Sequence, residues 1–547
     1  MKRSLAWSFL SRALWVADYM NKLTVVLFVL GICSAFGLRA QDSNLIIGNT
    51  ASDVLLLQEF DEITAKRRKE IPRFDLHTSF APYKGEISIG PAPVNHDNPP
   101  RSRGYIYRKL RLENFIEVDT GDFYLIINPA FNFEAGRDRQ DTSSEQLYVN
   151  TRGLSIHGKI GKNVTFFSRF YENQAFLPTY LDDFVSEHDV VPGQGRIKSF
   201  KTTGYDYAMA SGVVSFSVNK RLNIQLGNGK HFLGDGYRSL ALSRNAFNYP
   251  FVKITSWFGP LQYTNLFMGL QNLNVSLPTA TTTEPRFQRK IGTIHHLDWA
   301  VNKWLTIGAF EQMIWATSNT KGKFEMNDDV LSFINPIPFI RPFQYGLSGE
   351  NNVIVGINGK IMWPRKTELY GQIVLDDNKA GKYGFQMGFK TWAIRNLMVR
   401  AEFNQVAPYT YGHADSTRNF AHYNQGLAHP LGAGFSEMYG SVSYFIKGFF
   451  LLIQANYASY DDDESSYHWG KDIFKSDNSK SAEQIVPASS TLFYQRAGLG
   501  YQINRVTGMQ ISLGLINRME RKSSRTDQTQ YVFLSFSTNI PGRIYDY

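Results

Sequence analysis

Cysteine is almost absent from this chain: among 547 residues the only thiol is Cys33, inside an apolar run near the start. Ile32 stands before it, where a lipoprotein signal wants a small residue, so Cys33 reads as an ordinary apolar position. Disulfide staples, thiol catalysis and cysteine-ligated metal are therefore excluded from the rest of the chain. Charge is also sparse, at 19% of residues with a formal net charge of +10. The lysines and arginines are scattered, without the basic and aromatic interleaving of a nucleic-acid groove, and no nucleic-acid partner is expected. A mild basic excess suits a surface facing anionic lipid or acidic glycan. Catalytic signatures are missing too, with no nucleophile elbow, Walker loop or zinc helix motif. Gly234-Asp235-Gly236 lacks a following helix, so it does not read as a phosphate loop, and neither a cofactor nor an enzyme activity is expected.

Long apolar runs are limited to Leu23–Leu38, shorter than the roughly 20 residues of a membrane-spanning helix. Asn21 and Lys22 precede it and Arg39-Ala40-Gln41 follow, the pattern of a signal peptide cleaved near Ala40. Met20 then reads as the start and Met1–Tyr19 as an upstream extension. Export is the consequence. Residues 1–40 form this extension and signal, 41–118 a short periplasmic segment and 119–547 the main body. In the second part, Ala51–Glu70 has roughly helical spacing and ends before Pro72, and Phe74–Pro100 is irregular.

What the chain has in abundance is glycine, tyrosine and phenylalanine, with 44, 29 and 40 residues. From Arg103 onward apolar residues alternate with polar or small ones, as in Leu222-Ile224-Leu226 and in Met509-Ile511-Leu513-Leu515. Tight turns fall at Asp119-Thr120-Gly121, Gly161-Lys162-Asn163, Asn219-Lys220-Arg221, Gly259-Pro260, Asn302-Lys303, Pro364-Arg365, Arg395-Asn396, Lys447-Gly448 and Asn504-Arg505. Longer connections centre near 140, 190, 240, 282, 333, 420, 475 and 525, with only Asp376–Gly381 short. Short turns on one side and long loops on the other predict an all-β, antiparallel transmembrane barrel in the outer membrane, with about 18 strands between Gly121 and Thr538. The strand-like stretch Tyr105–Val118 is surplus to it. Trp257, Trp299, Trp304, Trp363 and Trp392 lie near short turns, where a periplasmic aromatic girdle belongs, and Trp315 lies at the opposite end. Arg400, Glu402 and Asn404 should point into a polar lumen, with Val399, Ala401 and Phe403 toward lipid.

The segment from Gly229 to Pro250 is too ordered in composition for a plain loop. Its candidate ligand or plug residues are Asp235, Tyr237, Arg238, Asn245 and Tyr249. A second candidate is a glycan-binding lip of Tyr467, His468 and Trp469, after the acidic run Asp461–Glu464, whose carboxylates could alternatively hold calcium or simply be solvated. His296 and Asp298 share a strand face, as His295 does not, and a hydrogen-bonded lumen pair is expected there in place of a metal site. Ser239 and Ser243 near His231 and Asp235 do not by spacing make a catalytic set.

Gly234-Asp235-Gly236-Tyr237-Arg238-Ser239-Leu240, with Leu242-Ser243, Asn245-Ala246 and Asn248-Tyr249-Pro250, resembles the capsule-assembly Wzi family of outer-membrane proteins. The nearest-looking group is the Bacteroidetes gliding-motility RemB-like proteins. His77–Tyr83 and the final Arg543-Ile544-Tyr545-Asp546-Tyr547 carry the same resemblance. It implies an 18-stranded barrel and a role in attaching capsular polysaccharide to the cell surface. The expected partners are outer-membrane lipid together with surface polysaccharide or surface motility proteins. The competing expectation is a passive, porin-like channel for small solutes.

Overall fold

The structure, a computed structural model, describes residues 104–547 apart from 142–145, 220, 278–285, 303, 316–350, 364–365, 377–380, 464–467, 477–487 and 541. The expected signal peptide and the readings at 51–70 and 74–100 lie outside the described residues. Helix α1 (Tyr105–Arg111) leads into β1 (Ile116–Asp119), β2 (Phe123–Asp138), β3 (Leu147–Ile160) and β4 (Val164–Phe176). Helix α2 (Thr179–His188) and β5 (Lys198–Phe200) lie in the next long connection. There follow β6 (Gly204–Asn219), β7 (Leu222–Gly229), β8 (Tyr249–Phe258), β9 (Leu261–Leu277), β10 (Arg286–Ala300) and β11 (Leu305–Trp315). Then come β12 (Asn352–Trp363), β13 (Thr367–Asp376), β14 (Tyr383–Thr391) and β15 (Leu397–Val406). A small hairpin of β16 (Ala421–His422) and β17 (Gln425–Gly426) precedes β18 (Phe435–Ile446), β19 (Phe449–Asp462), β20 (Ala488–Asn504), β21 (Met509–Arg521) and β22 (Thr526–Thr538).

All but β1, β5, β16 and β17 form one closed antiparallel wall of 18 strands. Closure is made by β22 against β2, from Phe131 opposite Thr538 to Asp138 opposite Tyr531. A closed wall leaves no unpaired edge, the condition a β structure must meet to cross hydrocarbon. Period-two alternation sets its two faces. On β21, Ile511, Leu513 and Leu515 are exposed on the outside, and the same holds for Leu226, Ile357, Ile373, Met387, Met438, Leu499 and Leu534 around the circumference. A soluble protein could not leave such a band in water. The chain is an outer-membrane β-barrel.

The tight turns fall at one end of this wall, as expected, and the long connections at the other, which places the former in the periplasm and the latter outside. Four local expectations are corrected. Tyr105–Arg111 is helical, and only Ile116–Asp119 is a strand, where Ile116 and Val118 lie opposite Ile127 and Leu125 of β2. The connection near 525 is short, because the charged stretch Arg518–Asp527 continues the β21–β22 hairpin and pairs Arg518 with Glu520 and Arg525 with Asp527. Among the tryptophans, Trp299 and Trp304 are exposed at the turn end. Trp257 instead donates to Gln262 on the lumen-facing register, and Trp392 is buried against Met398, so neither joins the outer girdle.

The lumen is also less uniformly polar than expected. Its outer half holds an apolar core in which wall residues Phe310, Ile314, Ile354, Val374 and Val406 meet Leu233, Leu240 and Leu242 of the β7–β8 loop and Phe420 and Leu427 of the β15–β18 loop. Burying each such side chain contributes about 1.5–3 kcal/mol. The inner half is polar, with Gln262, Thr264, His296, Asp298, Asn358, Lys360, Glu368 and Lys390 buried on the lumen face. Replacing the lipid-facing Leu515 with Arg should lower stability by about 2–4 kcal/mol in denaturant unfolding from vesicles, and Leu515→Phe should leave it nearly unchanged.

Candidate functional site

Residues 230–248 turn inward from the outer rim and lie across the barrel, bonded to side chains of the opposite wall. Gly234 has a φ of 140°, a backbone conformation open chiefly to glycine, and a Cβ on it would sit 2.7 Å from Nε2 of Gln372. A Cβ on Gly236 would sit 2.3 Å from Oε2 of Glu402. The two glycines thus permit the backbone to approach β13 and β15 closely. The Gln372 amide then acts like a neighbouring peptide, donating to the Leu233 carbonyl at 2.9 Å and accepting from the Leu240 N–H at 3.0 Å. Glu402 accepts the consecutive backbone N–H groups of Tyr237 and Arg238 at 2.7 and 3.0 Å and the Tyr370 hydroxyl at 2.9 Å. As expected, Glu402 and Asn404 face the lumen, the second donating to the first at 2.9 Å.

Arg238 is the centre of this arrangement, with its side chain 3% exposed. Its guanidinium reaches Glu437 of β18 at 2.8 Å and Asp546, from the segment after β22, at 3.0 Å. Glu437 also accepts from His429 at 2.8 Å and from Asn404 and Asn456 at 3.1 Å each. Asp546 accepts the Tyr237 hydroxyl at 2.8 Å and is bonded by Gln454 and Asn456. The Tyr237 ring stacks on Tyr439 with centroids 4.0 Å apart. One cation is therefore shared by two carboxylates whose other lone pairs are occupied, the condition under which buried charges are tolerated.

The other expected plug residues join the same body. Asp235 lies 3.5 Å from the Lys360 ammonium, and Lys390 donates to its carbonyl at 3.1 Å while pairing with Glu368 at 2.7 Å. Asn245 donates to the Gly426 carbonyl at 3.2 Å, tying the loop to the β16–β17 hairpin above it. The Tyr249 hydroxyl accepts the His231 N–H at 3.1 Å. Ser239 donates to the Leu233 carbonyl and accepts the N–H groups of Ala241 and Leu242 at 3.1 Å each, so its hydroxyl organises a turn.

At the proposed glycan lip, Tyr467 lies outside the described residues, His468 is buried and Trp469 is half-buried. Asp463 of the acidic run accepts from His468 at 2.9 Å and from the Asp472 N–H at 2.7 Å, and also bonds the Trp469 N–H. Burial alone would raise its carboxyl pKa, but these bonds outweigh burial and hold it below the ordinary value. It acts as the loop's internal brace. His296 and Asp298 do share the lumen face, and His296 bonds Asn358 at 3.0 Å. No group of three metal-ligating side chains occurs among the described residues.

Glu437, Asp546 and the β15–β18 loop were not singled out from the sequence as parts of the site. A charged residue at a lumen register, as in Phe435-Ser436-Glu437, was the available signal for the first; its partner could not be read from the chain. In the β15–β18 loop, His422 is clamped from both ring nitrogens. Nδ1 accepts the Gln271 N–H at 2.9 Å, and Nε2, 3.1 Å away, donates to the Asn248 carbonyl. Only the neutral ring satisfies both.

No family model matches the chain, and no curated protein matches it. Among solved structures it is similar to Wzi of Escherichia coli, an outer-membrane protein involved in group 1 capsule assembly and described as a carbohydrate-binding β-barrel. That likeness has 15% identity and a TM-score of 0.47 over 76% of this chain and 85% of the other. It is also similar to OprD of Pseudomonas aeruginosa, at 10% identity and a TM-score of 0.41 over 78% and 97%. OccAB1 of Acinetobacter baumannii stands at 11% and 0.42 over the same shares. At such values the functional reading rests on the lumen itself.

Two outcomes follow from this geometry. Arg238→Ala strands two buried carboxylates and should cost about 3–5 kcal/mol, with faster proteolysis of residues 230–248 than in the parent protein. Burial holds the His422 pKa down to about 3, against about 6.5 in the unfolded chain. The unfolded state therefore binds the proton first, and stability present above pH 6.5 is lost as pH falls toward 3. The protection factor against hydrogen exchange at the Gln271 amide should fall between pH 6.5 and 4.5, and His422→Gln, which keeps a donor and an acceptor, should flatten that dependence.

Proposed function

We propose that this chain is a non-enzymatic outer-membrane barrel, closed by its own loops, that organises or anchors surface polysaccharide at its outer face. One observation carries the closed state: the outer half of the lumen is a packed apolar core continuous with the Arg238–Glu437–Asp546 network, where a diffusion channel would need water. Such a core stabilises the loops in one arrangement and presents their outward sides as a rigid surface.

Polysaccharide as the partner is supported by what that surface offers. Phe247 and Tyr423, both half-buried, pack together with centroids 4.8 Å apart, and the exposed Arg196 lies over Phe287 at 4.9 Å. Aromatic faces stack on sugar rings and a guanidinium binds carboxylates, the pairing an acidic glycan needs. The motif resemblance to the Wzi family points the same way. The occupied hydroxyl of Ser239 supports a non-enzymatic role. Attachment of gliding or adhesion components is the variant of this reading that the RemB-like resemblance supports.

A chromosomal deletion should reduce capsule retention or surface spreading and leave uptake of small solutes unchanged. Retention and spreading both at wild-type level would refute the anchoring role. In planar bilayers the purified barrel should be silent, whereas large stable single-channel steps would favour the passive channel.

A further inference from the structure

The lipid-facing side of the wall changes character where β2, β3, β4 and β6 approach the outer rim. Phe133, Leu154 and Phe170 are exposed there in the apolar band, with Leu154 directly opposite Phe170. Farther toward the outside on the same face, Arg152 stands opposite Glu172, and beyond that pair Asn150 stands opposite Gln174. The next pair is Tyr148 opposite Phe176, with ring centroids 5.0 Å apart. Arg137 continues this face on β2 and is exposed. Apolar, polar and cationic rows therefore succeed one another toward the rim.

Lys201, exposed in the turn between β5 and β6, joins the outermost row. Its ammonium lies over the rings of Phe200, Phe176 and Tyr148 at 5.2, 5.8 and 5.9 Å and reaches the Tyr148 hydroxyl at 3.4 Å. Its φ of 54° is in the left-handed region that favours glycine, yet a long cationic side chain stands there. Two carboxylates share the face, Glu172 opposite Arg152 and Asp206 opposite Lys198. Arg137 and Lys201 have no carboxylate partner among the described residues and are the surplus charge. That surplus is local: at the outer ends of β13, β14 and β15 the outward residues are Leu375, Tyr383 and Gln405, all neutral.

An amphipathic ligand fits this order of rows, with acyl chains against Leu154 and Phe170 and an anionic head group at the cations beyond them. Guanidinium and ammonium groups ligate phosphate by charge-assisted hydrogen bonds, strongest at the edge of a low-dielectric layer. A polysaccharide in the water outside makes no use of the apolar rows, which is what selects a lipid. We propose that the outward face of β2–β6 binds a phosphorylated glycolipid of the outer leaflet, of the lipid A type, with Arg137 and Lys201 as the phosphate ligands. The inference rests on the orientation of the barrel in the outer membrane and is independent of the anchoring role.

Native mass spectrometry of the full chain released from detergent micelles, with bisphosphorylated lipid A as the added probe, tests this, and heat-modifiable gel mobility verifies folding of each variant. The parent should retain bound lipid A, and Arg137→Ala/Lys201→Ala should weaken binding by roughly ten-fold or more. Lys162→Ala/Lys447→Ala, which removes the same charge from exposed periplasmic turns, should bind like the parent. Lipid A stripped of its phosphates should bind the parent as weakly as the phosphorylated form binds the Arg137→Ala/Lys201→Ala variant. The site is overturned if that variant, folded, binds like the parent, or if the turn variant loses as much affinity, which would reduce the effect to bulk charge. Undiminished binding of the phosphate-free lipid would also overturn it, leaving acyl contact alone.

Discussion

The interior of this barrel depends on Arg238. Its guanidinium joins three parts of the chain that are hundreds of residues apart: the loop after β7, the wall strand β18 through Glu437, and the segment after β22 through Asp546. A cation with 3% exposure is tolerable only when both carboxylates are within bonding distance and their remaining lone pairs are filled. His429, Asn404, Asn456, Gln454 and Tyr237 fill them. Such a network contributes more to choosing one arrangement of the loops than to net stability, because desolvation offsets most of its attraction.

Around this junction the lumen separates by chemistry along its axis. Toward the outside, apolar wall residues and leucines of the 230–248 loop make a core of the kind found in soluble domains. Toward the periplasm, Lys360, Glu368, Lys390 and Asp298 keep the wall charged. Loops fold inward because burying their leucines against Phe310, Ile354 and Val374 is worth more than leaving them in water. The glycines at 234 and 236 remove the steric obstacle to that descent.

Much of the wall was legible in the sequence. Alternation in β7 and β21 places leucines and isoleucines outward, and the turn residues at Gly161, Gly259 and Lys447-Gly448 mark the periplasmic end, because period two and tight turns are local properties. The inward direction of Glu402 and Asn404 followed from the same parity. Where charge was dense, this reasoning failed: Arg518–Asp527 has a loop's composition but forms the tight end of the β21–β22 hairpin, since ion pairs between near neighbours in the chain, Arg518 with Glu520 and Arg525 with Asp527, need no apolar face above the membrane. Trp257 and Trp392 show the complementary limit, as closeness to a turn gives depth along the barrel but not which side of the wall a ring occupies.

Sequence alone determined the class of the molecule: an 18-stranded antiparallel wall with long connections on one side, and a segment at 229–250 too rich in glycine and polar groups to be an idle loop. Only the tertiary structure decided that this segment lies inside, that Asp235, Tyr237, Arg238, Asn245 and Tyr249 are bonded within a plug, and that Asp546 meets Arg238 there. The physical reason is range. Strand parity is set by the nearest neighbours in the chain, whereas the pairing of Arg238 with Glu437 and Asp546 exists only once the barrel has closed and brought distant residues into one low-dielectric space.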